Sequence, residues 1–280
     1  MIHWLIQSLD DCPDALHANA PLDWLTDEER RRASSFKVEK RRQEWLLGRW
    51  TAKCLVQSVL RETTGQEWLL EQIAIAADAD GAPYASTHAQ PTEREGTGHS
   101  DLTSVAKVAQ RLPLSLSISH SHGMAFCAIV RETDEHDDLR NPIDDSRRTD
   151  GAGAGAQRAG QFTVGADIET IEQRAASFVA DFFTLAEQER INSAPAHLRD
   201  TLATAIWSAK EAVLKALREG LRIDTRRVTC RVDMGQVAPE EWTPFVVEMD
   251  EQLRADFPGS WSAWWRVQNG FTLAIALKER

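Results

Sequence analysis

The sequence predicts an α+β protein, and three stretches carry that reading. Residues 162–169, Phe-Thr-Val-Gly-Ala-Asp-Ile-Glu, alternate like a half-buried strand. Leu202, Ile206, Ala209, Val213 and Leu217 recur at helical spacing, with Gly220 placed just past the helix end. Residues 261–267 and 271–277 flank Asn269-Gly270, a strong signal for a tight hairpin.

The helical stretch sets an acid and two bases among apolar residues: Trp207-Ser-Ala-Lys-Glu-Ala-Val-Leu-Lys215. Trp207, Glu211 and Lys215 follow one another a turn apart, a spacing that makes side chains neighbours at about 5–6 Å. The strand has two chemically different faces. Phe162, Val164, Ala166 and Ile168 point one way, and Thr163, Gly165, Asp167 and Glu169 the other. Its two carboxylates then stand about 6.5–7 Å apart. Mg²⁺ takes oxygen ligands at about 2.1 Å and few carboxylates, with water and phosphate oxygens completing its shell, so it fits between them. Gly165 leaves room for a close approach. Taken alone, each stretch also reads blandly, the helix as a surface Glu–Lys pair and the strand as a solvated face.

Composition narrows the class. The net charge of −11 argues against a nucleic-acid partner, which would demand surplus Lys and Arg. No apolar run approaches the roughly 20 residues of a membrane span, and Met1-Ile-His-Trp-Leu-Ile lacks a positive leader region, so a cytoplasmic location is expected. Cys12, Cys54, Cys127 and Cys230 are widely spaced and are expected to be free, mostly buried thiols.

Along the chain, residues 2–8 read as a first strand, and Thr26 with Glu29 makes a capping-box pattern opening a helix. Basic residues then gather up to Lys53, among them Arg41, Arg42 and Arg49, interleaved with Phe36, Trp45 and Trp50. Most are expected to cover a solvated helix face. Residues 68–76 suggest a strand, and Asp80-Gly-Ala-Pro83 a turn. Residues 86–111 are polar and read as an insertion. Residues 114–119 alternate as a strand, 120–123 turn, and 124–130 continue as a buried strand. Residues 131–160 shift to Asp, Glu, Arg, Gly and Ala, the composition of a flexible linker or extended hairpin loop between residues 1–130 and 161–280. Residues 227–233 and 244–249 read as further strands.

Gly165-Ala-Asp-Ile-Glu169 followed by Trp207-Ser-Ala-Lys-Glu-Ala-Val-Leu-Lys215 resembles the signature of the Sfp-type 4′-phosphopantetheinyl transferases, in the subclass written W/KEA. The resemblance implies two similar halves, each a small antiparallel sheet on a long helix, with the site in the cleft between them. It implies Mg²⁺, or Mn²⁺ in its place, on Asp167, Glu169 and Glu211, with Glu211 as base, directly or through a water, and Lys215 stabilising the phosphate or protonating the leaving group. It also implies coenzyme A contacts from Ser119, His120, Lys215 and some of Arg41, Arg42 and Arg49, with Lys210 as a phosphate or structural contact and His122 left to the turn. The implied reaction moves the phosphopantetheine arm of coenzyme A to a serine of an apo carrier protein, by a monomer without membrane or nucleic-acid partners. Ala82 departs from the family, which commonly has Lys there; another base substitutes or affinity is lower. Two rival readings are a non-catalytic binding homologue and a Mg²⁺-dependent phosphate hydrolase.

Overall fold

Each of two long helices lies against an antiparallel sheet in the computed structural model, which describes residues 1–12, 16, 20–88, 109–131, 162–235 and 238–279. The first set of elements is β1 (Ile2–Ser8), α1 (Asp27–Ser34), α2 (Glu39–Thr64), β2 (Ile73–Ala77), β3 (Pro83–His88), β4 (Ala109–Arg111), β5 (Leu114–Ser121) and β6 (Met124–Arg131). The second is β7 (Phe162–Thr170), α3 (Ala176–Phe182), α4 (Leu185–Ser193), α5 (Arg199–Ala216), β8 (Val228–Arg231), β9 (Thr243–Pro244), β10 (Val246–Met249), α6 (Glu251–Asp256), β11 (Trp261–Gln268) and β12 (Phe271–Glu279). The main sheets run β1-β6-β5 against α2 and β7-β12-β11-β9 against α5, with β2-β3-β4 and β10-β8 as smaller sheets. The class is α+β, as expected.

Local sequence explains most boundaries. Thr26 caps α1 in a reciprocal box with Glu29, and Gly65 ends α2 in the left-handed region. Two hairpins turn on pairs of positive-φ residues, His122-Gly123 and Asn269-Gly270, the geometry that matches strand twist. The first turn is therefore two residues, and β5 runs on through His120 and Ser121. Helix α5 differs from the expected amphipathic stripe. It is buried almost all round, and it stops at Ala216, with Arg218 rather than Gly220 in the first left-handed position. The polar insertion is also narrower than its composition suggested. Ser86 and Thr87 are buried in β3, and 109–111 pair with it as β4. The rest of that insertion and the expected linker after Arg131 lie outside the described residues.

Gly165 serves the fold rather than a ligand. A Cβ there would sit 1.9 Å from the Ala212 carbonyl oxygen, so only glycine lets β7 lie this close to α5. The opposite face, Phe162, Val164, Ala166 and Ile168, shares one core with Ile2, Phe126, Ala128 and Val130, which ties the two main sheets together. Alternate serines of β5 complete the join. Ser115 and Ser117 accept from the Val164 and Ala166 amides at 3.0 and 2.9 Å, standing in for a strand ladder between β5 and β7.

The two sets repeat one buried device. Lys53 on α2 pairs with Glu29 at 2.6 Å and donates to the Trp24 and Leu70 carbonyls, while Glu29 accepts from the Ile75 amide. Lys210 on α5 pairs with Glu187 at 2.9 Å and donates to the Thr225 and Val228 carbonyls, while Glu187 accepts from the Cys230 amide. Glu187 also closes a capping box with Thr184, as Glu29 does with Thr26. Trp50-Thr-Ala-Lys-Cys-Leu-Val56 and Trp207-Ser-Ala-Lys-Glu-Ala-Val213 are the sequence form of the same repeat.

Candidate active site

Strand β7 and helix α5 bring Asp167, Glu169, Trp207, Glu211 and Lys215 together. Asp167 is buried, and its Oδ1 accepts from the Ser119 hydroxyl and the Lys215 ammonium, each at 2.7 Å. Lys215 also donates to the Ala166 carbonyl, and Ser208 to that of Asp167, pinning the helix to the strand. Glu169 accepts from Trp207 Nε1 at 3.2 Å and from Arg174 at 3.0 Å, a partner that sequence spacing did not single out. Phe178, Phe182 and Phe183 surround the Trp207 ring, which is held as a wall of the site.

Glu211 is different. It makes no hydrogen bond or ion pair with the described residues, and burial pushes its carboxyl up to about 7, with the Asp167 charge adding and Lys215 opposing. Glu169 is also raised, by burial first and then by Asp167. Both shifts come from crowding like charges in a place that water reaches poorly.

This has a measurable consequence for the metal-free protein. The ordinary value for Glu211 is 4.5, so between there and about 7 the native chain keeps a proton that the unfolded chain has released. The stability it contributes is full below pH 4.5 and is lost as pH rises through about 7. The loss is on the order of 3 kcal/mol. Glu211→Gln should flatten that part of the pH–stability curve and leave the variant more stable than the parent at pH 8. Denaturant midpoints across this range check it, and parallel curves for the two proteins would show that Glu211 titrates normally.

Whether the carboxylates suit a metal can be tested on their present partners. Among the described residues no three acidic, His or Cys side chains are arranged to hold an ion as they stand. The cause is visible: Glu169 is turned to Arg174 and Trp207, and Asp167 Oδ1 to Lys215 and Ser119. The donor chemistry nevertheless fits a hard cation. Asp167 Oδ2 is buried without any hydrogen bond, and Glu211 is unpartnered with its ionised form disfavoured.

The remaining expected site residues divide. His120 is exposed near the end of β5, paired with Ala125 through the backbone ladder, and its side chain makes no hydrogen bond or ion pair among the described residues, whereas Ser119 is committed to Asp167. His122 sits in the turn, bonded to Thr170 at 2.7 Å. Arg41 is exposed, Arg42 pairs with Glu39 on its own helix, and Arg49 lies over the Trp45 ring with a buried, unbonded Nε. Burial holds the Arg49 guanidinium below its ordinary value. Lys210 is not in the site. Its ammonium is fully buried against Glu187 and two carbonyls, so it is a core ion pair and not a phosphate contact.

A cavity of about 270 Å³ opens beside Lys215, between the two main sheets. Ala82 and Pro83, Ser115 and Ser117, Val164 and Lys215 line it, together with Arg111, Arg218 and Arg222. Ala82 brings no charge, and the basic groups around it come from β4 and from the segment after α5. The four cysteines are free, and burial raises their thiols, Cys54 to about 11, so none is poised as a nucleophile. No helix among the described residues is long and apolar enough to cross a membrane.

One buried and two half-buried carboxylates thus stand beside a lysine at the edge of the cavity. Residues 163–276 match the family model of the 4′-phosphopantetheinyl transferase superfamily, less than half of the chain but the part that holds Asp167 through Lys215. No curated protein matches. Similar solved structures include the holo-[acyl-carrier-protein] synthase of Helicobacter pylori with coenzyme A, at 17% identity and TM-score 0.33, covering 41% of this chain and 99% of that one. Those of Neisseria meningitidis (17%, TM-score 0.34, 42% and 97%) and of Bacillus anthracis with coenzyme A (17%, 0.33, 41% and 94%) are comparable. Overlaps this partial say nothing about the site.

Proposed function

We propose that this protein transfers the 4′-phosphopantetheine arm of coenzyme A to a serine of an apo carrier protein, acting in the cytoplasm as a W/KEA member of the Sfp type. The observation that carries the reading is the meeting of Asp167 and Glu169 with Glu211 and Lys215, within the region matched to the transferase superfamily. The Trp207 to Lys215 motif supports the subclass.

In the reaction, the carrier serine oxygen bonds to the phosphorus bearing the pantetheine arm. The bond from that phosphorus to the bridging oxygen breaks, and adenosine 3′,5′-bisphosphate leaves with the electron pair. Glu211 takes the serine proton, directly or through a water, as the one carboxylate of the three that no described side chain already occupies. Lys215, which lines the cavity, offsets charge on the phosphate. Asp167, Glu169 and Glu211 would hold Mg²⁺ or Mn²⁺, which when bound supplies charge neutralisation at the pyrophosphate. His120 and Arg49 are the groups proposed to meet the nucleotide phosphate. Ser119 instead orients Asp167.

Intact-mass measurement of apo acyl, polyketide and peptidyl carrier proteins after incubation with coenzyme A and Mg²⁺ tests this. A carrier gaining the phosphopantetheine mass supports transfer. Free phosphopantetheine with unmodified carriers would make the protein a hydrolase, and unchanged coenzyme A with bound carrier a binding homologue.

A further inference from the structure

Among the described residues only three non-glycine positions have positive φ, and two of them, His122 and Asn269, sit at hairpin tips. The third is Arg218, at φ 64 just past α5, where glycine is usually selected because a side chain is strained. An arginine kept in that conformation points to a use for its side chain. Its Nη2 donates to Asp78 Oδ2 at 2.5 Å and to Asp80 Oδ1 at 3.1 Å, across 140 residues of sequence. Its Nε lies 2.8 Å from Asp80 Oδ2 but off the N–H direction, an ionic contact without a hydrogen bond.

The same acidic turn is gripped from other sides. Arg111 on β4 forms a two-pronged pair with Asp78 at 2.7 and 2.9 Å, and Arg222 donates to the Asp80 carbonyl and to that of Arg218. Single exposed ion pairs contribute little, but a partly buried network with forked geometry does more. Asp80, Arg111, Arg218 and Arg222 of this network also line the cavity, beside Gly81 to Pro83 and Lys215.

We propose that Arg218 is a positioning residue, clasping the Asp78–Asp80 turn to the end of the site helix and so setting the width of the cavity that receives a phosphate-bearing substrate. The clasp stands on geometry alone; that the substrate is coenzyme A rests on the transfer reading. Because Lys215 lies three residues before Arg218 and is itself tied to Asp167, an open clasp loosens the wall beside the reacting groups while leaving those groups in place.

The test compares Arg218→Gly, Arg218→Lys and the double variant Asp78→Asn with Asp80→Asn. Glycine suits the backbone, so overall stability should hold while the clasp is lost. Hydrogen exchange at residues 78–83 should quicken in Arg218→Gly and in the double variant. The Kd and KM for coenzyme A should rise about tenfold, as expected when a closed, binding-competent state becomes a minor one, with kcat within about twofold. Arg218→Lys should recover most of the affinity. Unchanged exchange and KM in Arg218→Gly would overturn the clasp, as would a fall in kcat at constant KM. If the parent neither binds nor turns over coenzyme A, the transfer reading fails, and the exchange comparison alone still decides the clasp.

Discussion

Asp167→Asn should lower transfer to an apo carrier by roughly two to three orders of magnitude, the usual size of effect when a group placed at developing charge is removed. Asp167 is the centre of the site. Its Oδ1 holds Lys215 and Ser119, and its Oδ2 is buried with no partner. Asn keeps the shape but removes the charge. Two opposing terms then act on the metal-free protein: the ion pair with Lys215 is lost, and the repulsion felt by Glu211 and Glu169 is relieved. The melting temperature without metal should therefore stay within a few degrees of the parent. The carboxyl of Glu211 should titrate lower than about 7, since the Asp167 charge is the second cause of its shift after burial. The extra stability conferred by Mg²⁺ with coenzyme A, which comes from binding the native state alone, should disappear. Near-parental turnover by Asp167→Asn at saturating Mg²⁺ would sink the proposed mechanism.

The grouping of Asp167, Glu169, Trp207, Glu211 and Lys215 was legible because strand alternation and helical spacing each act over a few residues. Alternation put Asp167 and Glu169 on one face of β7, and one-turn steps put Trp207, Glu211 and Lys215 on one side of α5. Partners were not legible, because they come from far along the chain. Ser119, read as a phosphate contact, is 48 residues from Asp167 in sequence and bonds to it in the fold. The Arg218 network depends in the same way on packing that no local pattern records, while Arg174, only five residues beyond Glu169, sits in the irregular stretch after β7, where neither strand nor helix spacing applies. Gly165 was rightly read as a place of close approach, but what approaches is the Ala212 backbone. One signal was present and passed over: the Trp-x-Ala-Lys repeat at Trp50 and Trp207, each preceded by a Thr-x-x-Glu box, marks the twofold plan of the chain without any reference to a family. It also tells Lys210 apart from Lys215, since Lys53 and Lys210 share a position and Lys215 has Ser58 as its counterpart.

That distinction leads to the second large effect. Lys210→Met should destabilise the protein by about 3–5 kcal/mol, because it strands the Glu187 carboxylate in a site only 2% exposed. For a chain of this size the melting temperature should fall by on the order of 10 °C. The loss is one of pairing more than of volume, since Met fills most of the space that the lysine stem occupied. Adding Glu187→Gln to Lys210→Met should recover part of the stability by removing the orphaned charge, and only part, because Glu187 also accepts from the Thr184 and Cys230 amides, each at 2.8 Å. Lys53→Met should behave alike, leaving Glu29 unpaired at the matching place in the other set of elements. Denaturant unfolding of the three variants measures the effect, and coenzyme A titration of Lys210→Met at a temperature where it is folded measures the alternative. Parental stability with weakened coenzyme A binding would return Lys210 to the ligand site; a large loss of stability with parental affinity in the folded fraction keeps it in the core.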